Sequence, residues 1–230
     1  MPADTIPARF LSQAKIRPDA PAYYVRIDGQ WQMTSWKRRA ERVQRIARGL
    51  LALGVSAGSA TSILGSNRAE WVDWHVATML IGATPAGIYT TCSAEQVRYI
   101  VDHSESTVLL VDSEDQLNKI EREWARLPRL QYVVLMLGVR PTRADGKRVL
   151  TWETLLERAD TVEQEKVEQR FAALSEDAAA TILDLSATLG VDYLIIGASQ
   201  RTAMAKLLGG SVVTSVAQQL PDTIRLVIYG

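Results

Sequence analysis

Cysteine is nearly missing from this chain of 230 residues: Cys92 stands alone. An intramolecular disulfide is therefore excluded, and a reducing compartment fits. Neither charge sign is in excess. Lys and Arg total 26, Asp and Glu total 26, and the net charge is zero. A neutral chain has no electrostatic claim on nucleic acid or an anionic membrane. Long apolar runs are also lacking. The greasiest stretch, Val76 to Ile88, is broken by threonines, Pro85 and glycines. It falls short of the roughly 20 apolar residues a membrane-spanning helix needs. The first ten residues carry Asp4 and Arg9 and no apolar centre, unlike a signal peptide. The expectation is a cytoplasmic protein with no integral membrane segment and no nucleic-acid partner. Only His75 and His103 supply imidazoles. They fall on separate expected helices with no second histidine at ligand spacing, so packed or surface roles are expected rather than metal binding. Cys92 has no evident base beside it, which argues against an activated thiol.

Apolar residues make up 47% of the chain, enough for one or two cored domains. Thr5 to Lys15 reads as a short helix. Ala22–Ile27 and Gln30–Met33 read as strands joined by Asp28-Gly29, a strong hairpin signal. Thr34 or Ser35 then caps a long helix with Trp36, Ala40, Val43, Ala47, Leu50 and Leu51 on one face. Lys37, Arg38, Arg39, Glu41, Arg42, Arg45 and Arg48 are expected to form a solvated face. Gly54 ends that helix.

Strands and helices alternate from there. Ala60–Leu64 is a strand, and Asn67 caps a helix that Gly82 ends. Thr84–Tyr89 is the next strand. Ser93 with Gln96 makes a capping box, Thr107–Val111 is a buried strand, and Ser113 with Gln116 makes a second box. Gln131–Met136 is a fourth strand, Thr151 caps a short helix to Ala159, and 162–171 is an exposed helix. Trp71 and Trp74 are expected in the core. There is no internal repeat and no low-complexity segment. The fold class that follows is α/β, a mostly parallel doubly wound sheet with flanking helices and an N-terminal β-hairpin.

One stretch looks suited to holding a phosphate. Val191 to Ser211 places an apolar strand, Tyr193–Ile196, against Gly197, then a polar loop, a short helix and Gly209-Gly210-Ser211 at another helix start. Backbone N–H groups in such a turn, with a helix dipole behind them, attract anions. The same residues also suit an ordinary packing turn and an N-cap at Ser211.

Several phrases resemble the N-terminal part of AMP-forming long-chain acyl-CoA synthetases, in the adenylate-forming superfamily. They are WKRRAERVQRIARGLLALGV, SILGSNRAEW, IGATPAGIYTTCSAEQVRYIVDHS, LVDSEDQLNKI, TWETLL and LSEDAAATI. Ser59 departs from an expected Asp. The resemblance implies that residues 1–181 form the truncated N-terminal region of an AMP-binding enzyme. It also implies ATP or AMP, Mg²⁺ and CoA as cofactors, and fatty acid–CoA ligation as the activity. In that family LSEDAAATI leads into a Ser/Thr/Gly-rich loop ending in proline and a lysine-glycine pair, which holds the ATP phosphates. Here the chain reads LDLSATLGVDYLIIGASQ instead. The small C-terminal domain with its catalytic lysine has no counterpart either. Asn67, Glu70, Thr90 and Thr91 belong to the matching phrases, with capping and turn roles expected.

Residues 182–230 resemble the C-terminal half of a universal stress protein domain. Its nucleotide loop carries over onto Gly197 and onto Gly210-Ser211, with Ser199 and Arg201 between them. Gln200 stands where that family has a glycine, and a side chain there obstructs close approach of backbone to phosphate. Three readings follow: a long-chain fatty acid–CoA ligase lacking its activity, a non-enzymatic nucleotide-binding module, or a recombined scaffold without activity. A small-molecule nucleotide is the expected partner, at Gly197, Ser199, Arg201, Gly210 and Ser211. No catalytic residue and no metal ligand is expected. Unpaired strand edges invite self-association.

Overall fold

In the computed structural model, residues 5–139 and 148–174 are described, together with the backbone of residues 193–197 and 225–229. Local chemistry sets the first elements. Thr5 accepts a hydrogen bond from the Ala8 N–H and opens helix α1, Ile6–Ile16. Strands β1, Pro21–Ile27, and β2, Gln30–Ser35, pair antiparallel around Asp28 (φ 50°) and Gly29 (φ 81°). Two positive φ values are what a tight two-residue hairpin turn demands. Ser35, not Thr34, caps helix α2, Trp36–Ala52, and Gly54 at φ 85° lets the chain turn away.

A five-stranded parallel sheet follows in the order β4-β3-β5-β6-β7. Its strands are β3 (Ala60–Leu64), β4 (Thr84–Ile88), β5 (Ser106–Val111), β6 (Tyr132–Leu135) and β7 (Val149–Leu150). Helices connect them: α3 (Ala69–Leu80), α4 (Ala94–His103) and α5 (Glu114–Glu123), with a 3₁₀ turn at Trp124–Arg126. After β7 come α6 (Trp152–Ala159) and α7 (Gln164–Ala172). The doubly wound α/β architecture with its N-terminal hairpin is as the sequence led one to expect.

Side chains alternate across this sheet with period two, as strand geometry requires. Ile63, Val108, Leu110 and Val134 enter one core with α2, α3 and α6. Leu64, Leu109, Val111, Val133 and Leu135 enter a second core with α4 and α5. Both faces are thus covered, which is why these strands read as continuous apolar runs.

Two local expectations need correction, and one element is new. The N-cap of α3 is Arg68 with no side-chain cap bond, so Asn67 does not cap it. Ser113 does accept from the Gln116 N–H, but the Gln116 side chain goes to the Thr90 carbonyl instead of closing a box. The edge strand β7 was not expected, because two residues carry no periodicity to read.

The chain divides into two units, residues 1–174 and 175–230. In the second, β8 (Tyr193–Gly197) pairs parallel with β9 (Arg225–Tyr229). The expected junction near Thr181–Leu183 lies outside the described residues.

Candidate functional site

Strand order fixes where a site is expected. The chain enters the sheet at β3, adds β4 on one side, and crosses to β5 on the other. The carboxyl ends of β3 and β5 therefore flank a topological switch point, the usual ligand crevice of open α/β sheets. In this protein the two strand ends are bridged by their own residues. The Asp112 carboxylate, just after β5, accepts both the Ser66 N–H and the Ser66 hydroxyl at 2.7 Å, just after β3. Gly65 permits this approach: a Cβ there would sit 2.9 Å from both Asp112 Cβ and Met136 Cε. Arg68 adds a third tie, donating to the Leu137 carbonyl past the end of β6 and to Glu70, each at 2.8 Å.

Burial alone would raise the Asp112 carboxyl. The Ser66 N–H and hydroxyl, the Ser113 side chain and the Arg68 charge outweigh it and hold the group below its ordinary value. A folded value below the unfolded one stabilises the fold above the unfolded carboxylate range, and that share is lost as pH falls through the folded value. Asp112→Asn is therefore expected to lower the urea midpoint by a constant amount from neutral to mildly acid pH. The gap should narrow below about pH 4. A gap that stays constant on acidification would show that no ionised carboxylate is being held.

The loop after β4 is secured separately. Lys119 on α5 donates to the Thr90 and Cys92 carbonyls at 2.8 Å each, and Gln116 donates to Thr90 at 3.3 Å. Ser93 and Gln96 then complete the capping box that opens α4. Tyr89 stands 82% exposed on this loop. The loops after β3, β4, β5 and β6 thus form a bonded platform along one edge of the sheet.

The basic face of α2 is not simply solvated, contrary to the sequence reading. Asp73 on α3 is fully buried, and Arg39 and Arg42 turn inward to meet it. Arg39 Nε donates to one carboxylate oxygen at 2.9 Å, and Arg42 Nε to the other at 2.6 Å. Arg42 also donates to the Tyr23 hydroxyl of the hairpin. Arg39 lies over the Phe10, Tyr23 and Trp36 rings at 5.3, 5.3 and 5.8 Å. Further along the helix, Arg45 reaches Asp160 at 2.8 Å.

His75 stacks on Trp71 with ring centroids 5.3 Å apart, and burial lowers its pKa. His103 stacks on Tyr99. Among the described residues no group of three or more His, Cys, Asp or Glu side chains could hold a metal. No described helix is long and apolar enough to cross a membrane. Trp74 is fully buried, while Trp71 packs over Gly87 at the core margin. Of the residues expected to hold a nucleotide, Gly197 ends β8. Ser199, Arg201, Gly210 and Ser211, with Gln200, lie outside the described residues.

The sequence had no direct signal for the bridged strand ends or the Asp73 network. Ser66 and Asp112 are 46 positions apart and meet only once the strand order is known.

Comparison with known proteins supplies the family. The AMP-binding enzyme family matches residues 10–195, which carries the match across the expected junction. The long-chain-fatty-acid–CoA ligase FadD15 of Mycobacterium bovis is 30% identical over 187 residues, covering 81% of this chain and 30% of that protein. Human long-chain-fatty-acid–CoA ligase ACSBG1 is 30% identical over 161 residues, covering 70% and 22%. The crystal structure of the anthranilate CoA ligase AuaEII with anthranoyl-AMP superposes with a TM-score of 0.57 at 19% identity, covering 71% of this chain and 29% of that one. That likeness speaks to the fold. This chain spans under a third of the length of these relatives. On this match, with its parallel sheet and platform of tied loops, the chain belongs to the AMP-binding enzyme family.

Proposed function

We propose that residues 1–174 are the N-terminal sheet scaffold of a long-chain fatty acid–CoA ligase, and that the 230-residue chain as it stands has no ligase activity. The reaction of such a ligase joins a fatty acid carboxylate to AMP with release of pyrophosphate, then passes the acyl group to CoA. It needs backbone donors around the phosphates, a cation, Mg²⁺ and an acyl pocket. The observation that supports the reading is the AMP-binding enzyme match over residues 10–195, which spans the whole five-stranded parallel sheet. The sequence past Ile182 supports it further, since LDLSATLGVDYLIIGASQ stands where the family's phosphate loop is expected.

A weak nucleotide site at Gly197, Ser199, Arg201, Gly210 and Ser211 is the second reading. It draws support from β8, which pairs parallel with β9 and ends on Gly197. In this reading, residues 182–230 act as a universal stress protein-like half domain.

Fatty-acid-dependent ATP–pyrophosphate exchange, run beside calorimetry with ATP, tests both. The expected result is no exchange, and at most a weak binding heat that Gly210→Arg reduces. Turnover by the pure chain would overturn the first reading. ATP binding indifferent to Gly210→Arg would overturn the second.

A further inference from the structure

The described strand edges of residues 5–174 are guarded with one exception. At one edge of the five-stranded sheet, β4 carries Pro85, which has no N–H to offer a new strand. At the other edge, β7 is two residues long. In the hairpin, β1 carries Pro21 and Arg26. The remaining edge is β2, Gln30-Trp31-Gln32-Met33-Thr34-Ser35, with no charge and no proline. Proteins blunt exposed edges with lysine, proline or shortness, and β2 uses none of these. Its outer part is also apolar and open. Trp31 is 68% exposed, Met33 45%, and Tyr24, across the ladder from Met33, 54%. A two-stranded ribbon alone is marginal in water.

We infer that β2 is a dimer interface, occupied by β2 of a second copy of this chain in antiparallel pairing centred on Gln32. The register follows from side-chain chemistry. Antiparallel pairing of a strand with itself is two-fold symmetric, so one edge is its own complement. Centring on Gln32 sets Gln32 opposite its equivalent and Trp31 opposite Met33 of the second copy, twice. Sulfur–aromatic contact favours that pair. Trp31, Met33 and Tyr24 share one face of the ribbon, because Tyr24 pairs with Met33 and Arg26 with Trp31. In this register both copies turn that face the same way, so each row runs Tyr24, Met33, then Trp31 and Arg26 of the second copy, apolar over three strands and ending on an arginine. No like charges meet along β2. The paired edges bury on the order of 500 Å² per copy, about 1,000 Å² in all. That lies at the low end for a specific interface, so the dimer is reversible. This inference stands apart from the ligase reading.

Sedimentation of the full chain over a concentration series is the test. A monomer–dimer equilibrium is expected, and Trp31→Lys should weaken it at least about a hundredfold by setting like charges near one another. Trp31 is exposed, so at concentrations where both chains are monomeric the thermal midpoint should not move. In a Cys92→Ser background, Gln32→Cys should cross-link two copies under mild oxidation. Directly opposed residues lie about 4.5–5.5 Å apart at Cα, within disulfide reach. Gln30→Cys, which faces Thr34 in this register, should not cross-link. A chain monomeric at every concentration would overturn the inference. So would association untouched by Trp31→Lys, or cross-linking equal at the two positions.

Discussion

Asp73→Ala is expected to cost about 3–5 kcal/mol of folding stability, the usual result of removing one partner from a buried ion pair. The carboxylate is fully buried and takes hydrogen bonds from both Arg39 and Arg42. Removing it leaves two cations facing a low-dielectric space that has lost its counter-charge. Arg42 is the less affected, since its side chain is 32% exposed, while Arg39 is only 12% exposed and more tightly enclosed. Burial by itself would weaken the Arg42 charge. Asp73 and the Tyr23 hydroxyl outweigh that and raise its pKa above the ordinary arginine value. A folded value above the unfolded one gives a contribution fully present below the unfolded pKa. On the arginine side, the contribution is therefore present wherever the unfolded arginine is itself charged, and is lost only as pH rises through the folded value. Domain stabilities are commonly about 5–15 kcal/mol, so the loss is a large share of the total. Urea denaturation followed by circular dichroism would measure it. A loss under about 1 kcal/mol would mean the pair behaves like a surface salt bridge.

Trp74→Ala is expected to be comparably severe, about 3–5 kcal/mol, for a different reason. Trp74 is wholly enclosed between α3 and the sheet, and its indole N–H donates to the Thr61 hydroxyl at 3.0 Å. Thr61 in turn is 3.0 Å from the Thr78 hydroxyl. Truncation opens a cavity beneath a rigid strand that cannot collapse into it. It does not leave Thr61 without a partner, because Thr78 remains. The cost is therefore one of lost packing. Trp74→Phe separates the terms: it keeps most of the volume and gives up the donor, with an expected loss of roughly 1 kcal/mol. The same urea series reads both. Equal losses for Ala and Phe would show that the hydrogen bond, not the volume, matters.

The parts of the fold that were legible in the sequence are those whose causes are local. Asp28-Gly29 names a turn because only that backbone suits it, and Ser93 with Gln96 forms a box within four residues. Short, largely continuous apolar runs between turn signals marked β3, β5 and β6. What escaped depends on distant partners. Asp73 reads as a polar interruption in AEWVDWHV until α2 is laid against α3, and the same packing turns Arg39 and Arg42 inward. Gln116 fits a capping box by spacing, but the Thr90 carbonyl competes for its side chain and wins. Asn67 suits an N-cap by residue type, yet the chain starts α3 one residue later. The family was legible from contiguous phrases, while the bridging of the two strand ends needed the strand order.

The tied loops at the C-terminal edge carry an entropic consequence. Ser66, Arg68, Asp112, Gln116 and Lys119 hold four loops in place through bonds made within the chain. A molecule or a neighbouring domain that docks on that edge meets a surface whose freedom has already been surrendered during folding. Little ordering is left to oppose association, so contacts made there count nearly in full toward affinity.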